Sequence, residues 1–324
     1  MKEISEYQSL ILEQLELLEE QKSDLALYEP VSYILSLGGK RLRPVLTLLA
    51  TDLFGGQLED SYKSAIGIEM FHNFTLLHDD IMDDAPLRRG METVHEKWDI
   101  NAAILSGDVL FVQAFVMVTS CKDKYLRSVL DLFNVTAIEV CEGQHLDMEF
   151  ETREDVTIPE YIEMIKLKTS VLVGCALQLG AILADASKED QQNLYDFGVN
   201  LGIAFQIQDD ILDVYGDAAI FGKQVGGDIL ANKKTYLLLK AFKDADESQK
   251  ESLNSWLNKE NYKSEEKVKA VTAIFTDLKV KEQADAVMWE YYEKSINFLN
   301  KINLPEENKA YLLDFAKTLI ERSK

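Results

Sequence analysis

The residues best suited to chemistry in this chain lie in two near-identical acidic pentapeptides. One reads DDIMD and begins at Asp79, and the other reads DDILD and begins at Asp209. Residues four apart share one face of a helix, so Asp79 lies beside Asp83. The same spacing joins Asp209 and Asp213. Such like-charged pairs destabilise an isolated helix by roughly 0.2–0.5 kcal/mol each, so we expect a ligand to offset the repulsion.

A hard divalent cation suits these carboxylates. Mg²⁺ takes oxygen ligands at roughly 2.0–2.1 Å and usually binds through one or two carboxylates together with substrate phosphates. Basic residues that could contact the remaining phosphate oxygens follow each pentapeptide: Arg88, Arg89, Lys223, Lys233 and Lys234. The spacing therefore predicts two carboxylate pairs around one diphosphate. A solvated acidic helix end is the alternative for one copy, and the repetition disfavours it.

Composition favours a large helical protein. Of 324 residues, 47% are hydrophobic and only five are proline. The intervals between prolines are rich in Leu, Ala, Glu and Lys, which favour helices. Apolar positions recur with helical spacing, whereas no strand-like alternation or Asn-Gly hairpin signal stands out. We predict a single all-α domain over residues 1–324, built from about ten or more helices.

Charge and hydropathy restrict the class of partner. The formal net charge is −22, which argues against nucleic acid, because phosphate backbones require a basic surface. The acidic, amphipathic N-terminus lacks the pattern of a targeting sequence. No run approaches the roughly 20 uninterrupted apolar residues that cross a bilayer. We expect a cytoplasmic protein that does not span a membrane, with the apolar segment NAAILSGDVLFVQAFVMVTS lying centrally in its core.

Six motifs follow one another between Gly38 and Thr235: GGKRLRP, HNFTLLHDDIMDDAPLRRG, EGQHLDM, KLKTS, AFQIQDDILDVYGD and GKQVGGDILANKKT. With them the chain resembles the trans-prenyltransferases, which make farnesyl, geranylgeranyl and longer polyprenyl diphosphates. Two departures are small: the lysine-threonine pair is followed by Tyr-Leu, not Leu-Pro, and Asn232 replaces the usual small residue before the lysine.

The resemblance implies a fold and a reaction. The fold is the helical bundle of isoprenoid synthases, with a central active-site cavity, and the protein is expected to be a homodimer. An allylic diphosphate (dimethylallyl, geranyl or farnesyl) ionises on Mg²⁺, with three ions around the bound diphosphate. Isopentenyl diphosphate attacks the carbocation and a proton is then lost, and the leaving diphosphate is expected to take it.

The resemblance also implies three groups of site residues. The metal ligands are Asp79, Asp83, Asp209 and Asp213. The isopentenyl diphosphate site comprises Lys40, Arg43, His72 and Arg89. The allylic diphosphate site comprises Arg88, Lys168, Thr169, Gln206, Lys223 and Lys233. Asp80 and Asp210 lie elsewhere on each helix and are expected to orient the ligands. Gln144 and Asp147 stay open between a structural role and support of the site.

Some of these assignments have a physical reason of their own. His72 lies seven residues before Asp79, about two helical turns, so both face the same side. Oxygen dipoles of Thr169 and Gln206 could stabilise a carbocation without trapping it. The alternatives are a core histidine at His72 and a basic surface turn around Lys40, and the other motifs disfavour both.

Residues just upstream of the first pentapeptide are expected to limit the product. One isoprene unit advances about as far as one helical turn, roughly 5 Å. By resemblance, the floor lies four and five positions before the first aspartate, at Thr75 and Phe74. Phe71 lies one turn further down. A second stop could come from Phe111 or Phe115. One aromatic residue at the fifth position, without an insertion in the motif, resembles a geranylgeranyl synthase more than a farnesyl synthase. We expect a product of about fifteen to twenty carbons, geranylgeranyl or farnesyl diphosphate.

Two other functions stay open. A class I terpene cyclase also uses an aspartate-rich helix and Mg²⁺, but it needs no second diphosphate site. The segment GGKRLR and the second pentapeptide disfavour that interpretation. A non-catalytic partner subunit of a prenyl synthase is expected to have lost some acidic or basic residues, and here all are present.

Overall fold

The computed structural model describes residues 2–20, 24–216, 225–259 and 261–321. Nearly all regular structure in these ranges is helical, which confirms the predicted all-α class. The chain divides into two compact units, described in turn: residues 1–137 with 172–195, and residues 138–171 with 196–324. That residues 1–324 act as a single domain stays a prediction.

The helices are named in chain order. They are α1 (Ile4–Glu20), α2 (Glu29–Ser36), α3 (Leu42–Leu53), α4 (Tyr62–Met82), α5 (Val94–Lys97), α6 (Ile100–Val118), α7 (Asp123–Thr152), α8 (Ile158–Ile165), α9 (Val171–Leu183), α10 (Lys188–Tyr215), α11 (Gly227–Leu230), α12 (Tyr236–Asp244), α13 (Glu247–Leu257), α14 (Ser264–Asp277), α15 (Val280–Lys301) and α16 (Glu306–Ile320). Short 3₁₀ turns occupy Ala26–Tyr28 and Leu58–Asp60.

In the first unit, α4 is the helix around which the core forms. It packs along α6 and against α3. Gly67 lets the two backbones approach, because a Cβ there would lie 2.6 Å from Cγ2 of Val118. Leu48, Ile66 and Leu110 are fully or almost fully buried around this contact. The close packing fixes the position of α4, and with it the aspartates at its C-terminal end.

The prediction that the apolar segment of α6 lies centrally is wrong for one of its faces. Ala103 and Leu110 are buried, but Ile104 is 41% exposed, Val112 61% and Val116 55%. Within the first unit, α6 packs mainly along α4 and makes smaller contacts with α2 and α5. The described residues of this chain therefore leave a second apolar face of α6 exposed.

A short hairpin separates α4 from α5. Its strands, Leu87–Arg88 and Met91–Glu92, pair in antiparallel fashion. The two turn residues, Arg89 and Gly90, have φ of 54° and 78°. Positive φ at both positions is the geometry of a type I′ turn, which matches the twist of paired strands. Arg-Gly is not one of the favoured turn dipeptides, so the hairpin could not be predicted from the sequence.

In the second unit, the N-terminus of α8 is capped by side chains. The Thr157 hydroxyl accepts a hydrogen bond from the backbone N–H of Glu160, and the Glu160 carboxylate accepts one from the backbone N–H of Thr157, so the two residues form a capping box. A π-helical stretch, Lys166–Ser170, then separates α8 from α9. A small core of α10, α12, α14 and α15 side chains includes Leu237, Phe275 and other buried residues.

Two helical stretches are long and apolar enough to cross a membrane by length and composition. They are Ile100–Val118, 28% buried within the protein, and Ile158–Leu183, 67% buried. Each is interrupted by charge, at Asp108 in the first and at Lys166 and Lys168 in the second. Core helices of soluble proteins meet the same criterion, so these stretches are weak evidence for a membrane span.

Candidate active site

Arg41 anchors the basic loop between α2 and α3 to the core of the first unit. It has a left-handed backbone, φ 48°, and is 6% exposed. Its guanidinium pairs with the Glu69 carboxylate and donates to the Leu35 carbonyl. Glu69 also accepts a hydrogen bond of 3.0 Å from the Asn73 amide. Arg41 therefore has a structural role, although it lies between two residues predicted to bind diphosphate.

Arg43 and His72 lie side by side in the same unit, with 3.2 Å between Nη1 and Nε2. Burial, followed by the charges of Arg43, Arg89 and Arg88, holds the pKa of His72 well below its usual range. The imidazole is therefore neutral near pH 7, and Nε2 can accept from the arginine. Burial also lowers the pKa of Arg43. This concentration of cationic groups is suited to an anion such as a diphosphate.

Arg89 joins the basic loop from the hairpin. Its guanidinium donates to the Gly38 carbonyl, and a Cβ on Gly39 would lie 2.9 Å from its Cζ. Gly39, which also has φ of 122°, therefore leaves room for the arginine. Lys40 lies exposed in the same loop, with its carbonyl accepting a 2.8 Å hydrogen bond from Gln8. The four residues predicted to form the isopentenyl diphosphate site all belong to this unit.

The first acidic motif forms the end of α4. Asp80 is 1% exposed, and Nε of Arg88 donates to both its carboxylate oxygens at 2.8 Å. Oδ2 of Asp79 lies 3.9 Å from Nη2 of Arg88, and Asp79 is partly exposed. Asp83 is exposed and caps the helix. Asp80 therefore orients Arg88, whereas Asp79 and Asp83 present carboxylates at the helix end.

The second acidic motif, near the end of α10, has a buried member in the same position. Asp210 is 4% exposed and accepts hydrogen bonds from the Tyr161 hydroxyl and from the Gln206 amide at 3.4 Å. Burial, followed by the charge of Asp228, raises the pKa of Asp210 to about 8. The Asp213 carboxylate accepts a 3.0 Å hydrogen bond from the backbone N–H of Asp228.

Two lysines of the second unit converge on one carboxylate. Nζ of Lys168, in the π-helical stretch, lies 2.5 Å from Oδ2 of Asp147, and Nζ of Lys233 lies 3.8 Å from the same oxygen. Gly143 allows this approach, because a Cβ there would lie 2.6 Å from the Cα of Lys168. Asp147, whose role the sequence left open, thus positions both predicted diphosphate ligands. Thr169 is the partly buried neighbour of Lys168.

The structure places most of the remaining predicted residues within one unit or the other. Arg88 belongs to the first unit, and Gln206 belongs to the second. Lys223 lies outside the described residues. No sequence pattern indicated Tyr161, because it lies one turn into α8 and is distant in sequence from the motif that it contacts.

Aromatic rings cluster around the predicted floor residues in the first unit. The Phe74 ring centroid lies 5.6 Å from Phe71 and 5.1 Å from Phe111. Phe71 also lies 5.3 Å from Phe133, which the sequence analysis did not identify. The Thr75 hydroxyl donates to a carbonyl one turn back in its own helix. The predicted floor is therefore a contiguous aromatic group to which three helices contribute.

Comparison with known proteins decides the family. The sequence model of the family described as polyprenyl synthetase matches residues 24–275 of this chain.

The chain belongs to the polyprenyl synthetase family.

Similar proteins support the same membership. Geranylgeranyl diphosphate synthase of Sulfolobus acidocaldarius is 38% identical over 297 residues, 89% of each chain. Geranylfarnesyl diphosphate synthase of Natronomonas pharaonis is 42% identical over 233 residues, 66% of this chain and 68% of the relative. A crystal structure of geranylgeranyl pyrophosphate synthase superposes with TM-score 0.94 at 44% identity and covers both chains completely. This polyprenyl synthetase is a prenyltransferase.

The acidic motifs of this polyprenyl synthetase fit a divalent cation. Both occupy the last two turns of a helix, α4 or α10, where the negative end of the helix dipole disfavours carboxylates. Burial is the main cause of the raised pKa of Asp210, and the nearby charge of Asp228 adds to it. An oxygen-only donor set at such a position suits Mg²⁺.

Proposed function

We propose that this prenyltransferase condenses isopentenyl diphosphate with an allylic diphosphate, head to tail and with Mg²⁺, into a short-chain all-trans prenyl diphosphate. One observation carries the proposal. Each of the two aspartate pairs lies at the C-terminal end of a helix, where the negative end of the helix dipole repels carboxylates. Cationic side chains lie near each motif. Arg88 lies 3.9 Å from Asp79 of the first pair. Lys233, whose charge acts on Asp210 of the second motif, shares the carboxylate of Asp147 with Lys168. Such an arrangement is suited to a metal-bound diphosphate.

The proposed residue roles in the ionisation step follow from these contacts. Asp79, Asp83, Asp209 and Asp213 would hold Mg²⁺, and we expect three ions together with the bound diphosphate. Bound Mg²⁺ supplies Lewis-acid neutralisation of the departing diphosphate. Lys168 and Lys233 exchange their contact with Asp147 for diphosphate oxygens, and Arg88 and Lys223 contribute further positive charge. Thr169 and Gln206 direct oxygen dipoles toward the allylic cation.

A separate group of residues binds the second substrate in this proposal. Arg43, Arg89 and Lys40 contact the diphosphate of isopentenyl diphosphate. His72, neutral because of its depressed pKa, orients Arg43 without adding a repulsive charge. The proton lost after condensation passes to the leaving diphosphate.

Product length is proposed to be fifteen to twenty carbons, farnesyl or geranylgeranyl diphosphate. The support is the aromatic group of Phe71, Phe74 and Phe111, whose rings approach to 5.1–6.0 Å. Thr75 is part of the same floor. Relatives named for both geranylgeranyl and longer geranylfarnesyl products make a direct product assay necessary.

We further propose that residues 1–324 act as one polyprenyl synthase domain in a cytoplasmic homodimer. The exposed apolar face of α6 supports dimerisation, because apolar patches of this kind usually mark protein interfaces. A dimer related by a two-fold axis would cover the face on both copies at once.

A product assay tests the proposed reaction. Purified protein receives Mg²⁺, isopentenyl diphosphate and each allylic starter in turn, and mass spectrometry reads the chain length. All-trans diphosphates extended by five-carbon units are expected. Cyclic hydrocarbon released from an allylic diphosphate alone would instead indicate a terpene cyclase. Absence of turnover by folded protein with ample Mg²⁺ would favour a non-catalytic partner subunit.

Matched variants connect the assay to the aspartates. Asp79→Asn and Asp209→Asn are each expected to reduce kcat by at least about 100-fold, because each removes one charged ligand of a catalytic cation. Asp314→Asn, an exposed position on α16, is the control. Equal activity of the three variants would remove the aspartates from the mechanism.

A further inference from the structure

Three side chains with metal-binding atoms lie together outside the proposed catalytic residues. Asp84, His95 and Glu96 each offer one ligand atom, and these atoms all lie within 4.8 Å of one another. All three belong to the first unit. Asp84 precedes the Leu87–Glu92 hairpin, and the other two follow it on α5.

The histidine of this group lacks the hydrogen bonds that its burial requires. His95 is 9% exposed, and among the described residues neither Nδ1 nor Nε2 has a hydrogen-bond partner. Its Nε2 points toward Glu96, with 3.8 Å between the nitrogen and Oε1. A buried polar group without a partner destabilises the folded state. A ligand between the imidazole and the carboxylates would remove that cost.

The backbone holds the two sides of the group at a fixed separation. Thr93 is fully buried, and its hydroxyl donates to the Ala85 carbonyl at 2.8 Å. Its amide donates to the Pro86 carbonyl at 3.2 Å. These two hydrogen bonds tie together the segments that carry Asp84 and His95. The arrangement therefore does not depend only on the orientation of exposed side chains.

We propose that Asp84, His95 and Glu96 form a binding site for a borderline divalent cation, with Zn²⁺ as its best-fitting ion. One imidazole nitrogen and two carboxylate oxygens are common zinc ligands at about 2.0–2.2 Å, leaving the fourth position for water. Mg²⁺ prefers oxygen ligands and keeps much of its water, so it fits this site less well. Tetrahedral ligands lie about 3.3 Å apart, a distance that the exposed Asp84 and Glu96 reach by rotating.

The site would act on the hairpin. An ion bound to Asp84 and His95 links the residues on either side of Leu87–Glu92, the segment that carries Arg88 and Arg89. Arg88 contacts Asp80, and Arg89 contacts the Gly38 carbonyl of the basic loop. An ion that links the two ends of the hairpin would therefore hold both arginines in place. This role is independent of the cations proposed for the aspartate motifs.

The first experiment measures Zn²⁺ binding to the full-length chain without an affinity tag, in excess Mg²⁺ that saturates oxygen-only sites. Calorimetry is expected to detect one Zn²⁺ per chain. The surface variant Asp84→Asn/Glu96→Gln should weaken that binding at least tenfold, and it removes no buried group. Glu92→Gln, an exposed acid on the same hairpin, is the control and should bind as the unaltered chain does.

A second experiment determines where Zn²⁺ binds, and so distinguishes this site from the aspartate motifs. Anomalous diffraction at the zinc edge should place the ion beside the His95 ring, and Asp79→Asn/Asp209→Asn should retain the Zn²⁺ equivalent. His95→Gln should abolish it, with thermal melting used to confirm that the variant is folded. Zn²⁺ that is lost with the Asp79 and Asp209 changes but kept by Asp84→Asn/Glu96→Gln would overturn the proposal. Absence of saturable binding would overturn it as well.

Discussion

At the scale of single residues, neighbours within one motif have different roles because they leave the helix or loop in different directions. Asp80 and Asp210 are buried and bind protein groups, whereas Asp79 and Asp209 are partly exposed. In the basic loop, Arg41 is held by a buried carboxylate and Arg43 contacts His72. Charge alone therefore does not identify the residues that face the substrate.

The two loop arginines should respond differently to substitution. Arg41→Met leaves Glu69 buried without its cation, which costs about 3–5 kcal/mol for a broken buried pair. Urea unfolding should report that loss. Arg43→Gln should change stability less, and should raise the KM for isopentenyl diphosphate at least tenfold with little effect on the allylic KM.

A double variant is the control for the Arg41 effect. Arg41→Met/Glu69→Leu removes both charges of the buried pair, and should recover most of the lost stability. If Arg41→Met instead left stability unchanged and raised KM, the structural role of Arg41 would be wrong.

Asp210 should make the metal-free protein less stable at alkaline pH. Its folded pKa of about 8 lies above its unfolded value near 3.8. The unfolded chain therefore releases this proton first, and stability falls as pH rises from about 4 to 8. Asp210→Asn removes that loss and can still accept from Tyr161. We expect its Tm, measured in chelator, to exceed that of the unaltered protein by several degrees at pH 8 and to match it near pH 4.

Asp314→Asn is the control for this measurement, because its carboxylate is exposed. It should reproduce the pH dependence of the unaltered protein. A Tm of Asp210→Asn that lies below that of the unaltered protein at pH 8 would show that the carboxylate is ionised and stabilising there.

Residue types at the site could be predicted from the sequence, but their pairings could not. The spacing of Asp79 and Asp83 follows from helix geometry alone. The contacts of Asp80 with Arg88, and of Lys168 with Asp147, depend on which segments the tertiary fold brings together. No local pattern encodes those distances.

At the scale of elements, helices were predictable and the exceptions to them were not. Thr157 with Glu160 is a capping signature that can be read directly. The hairpin turn at Arg89 and the π-helical stretch around Lys168 depend on tertiary contacts that override local preference. Both irregular segments carry a residue that we propose to bind diphosphate, Arg89 in the hairpin turn and Lys168 in the π-helical stretch.

The loop before Lys233 should depend on a buried lysine of α14. Lys267 is 1% exposed, and its Nζ donates to Oδ1 of Asn232 at 2.5 Å and to the Leu230 carbonyl at 3.4 Å. Asn232 has left-handed φ, 54°, so this contact explains why an amide replaces the usual small residue. Lys267→Met should release the loop and reduce kcat/KM for the allylic substrate about tenfold.

The KM values of the two substrates distinguish a positioning role of Lys267 from a general loss of stability. The allylic KM should rise in Lys267→Met while the KM for isopentenyl diphosphate stays constant. Lys269→Met, an exposed lysine on the same helix, should leave both constants unchanged. A parallel change in both KM values would indicate a loss of folded protein.

The aromatic group on α4 should set product length. Phe74→Ala together with Phe71→Ala removes two rings that contact each other at 5.6 Å. One helical turn of space, roughly 5 Å, accommodates about one more isoprene unit. Mass spectrometry should therefore show a product longer by one or two units. Because Phe71 is fully buried, Phe74→Ala alone is the variant least expected to destabilise the fold.

Phe298→Ala on α15 is the matched control for loss of a ring elsewhere. It should leave the product distribution unchanged. If both Phe74→Ala and the double variant also left it unchanged, these residues would not form the floor.

At the scale of the whole molecule, charge and apolar surface have opposite effects on association. The net charge of −22 opposes contact between copies at low ionic strength. On the exposed face of α6, however, Ile104, Leu105, Val112 and Val116 are each more than 40% exposed. The sequence indicated an apolar helix but not that half of it would face outward, because hydrophobicity does not distinguish a core helix from an interface helix.

The exposed face of α6 should hold two copies together. Val112→Glu/Val116→Glu adds two charges to a surface where Val112 is 61% and Val116 55% exposed. Desolvating these carboxylates in an interface is unfavourable, so the double variant should sediment as a monomer where the unaltered protein sediments as a dimer. Leu313→Glu on α16, also exposed at 42%, should remain dimeric. Both positions are exposed within one chain, so the helical circular dichroism should not change. A dimer that survives both substitutions on α6 would place the contact on another surface, and the apolar face would then require a different partner.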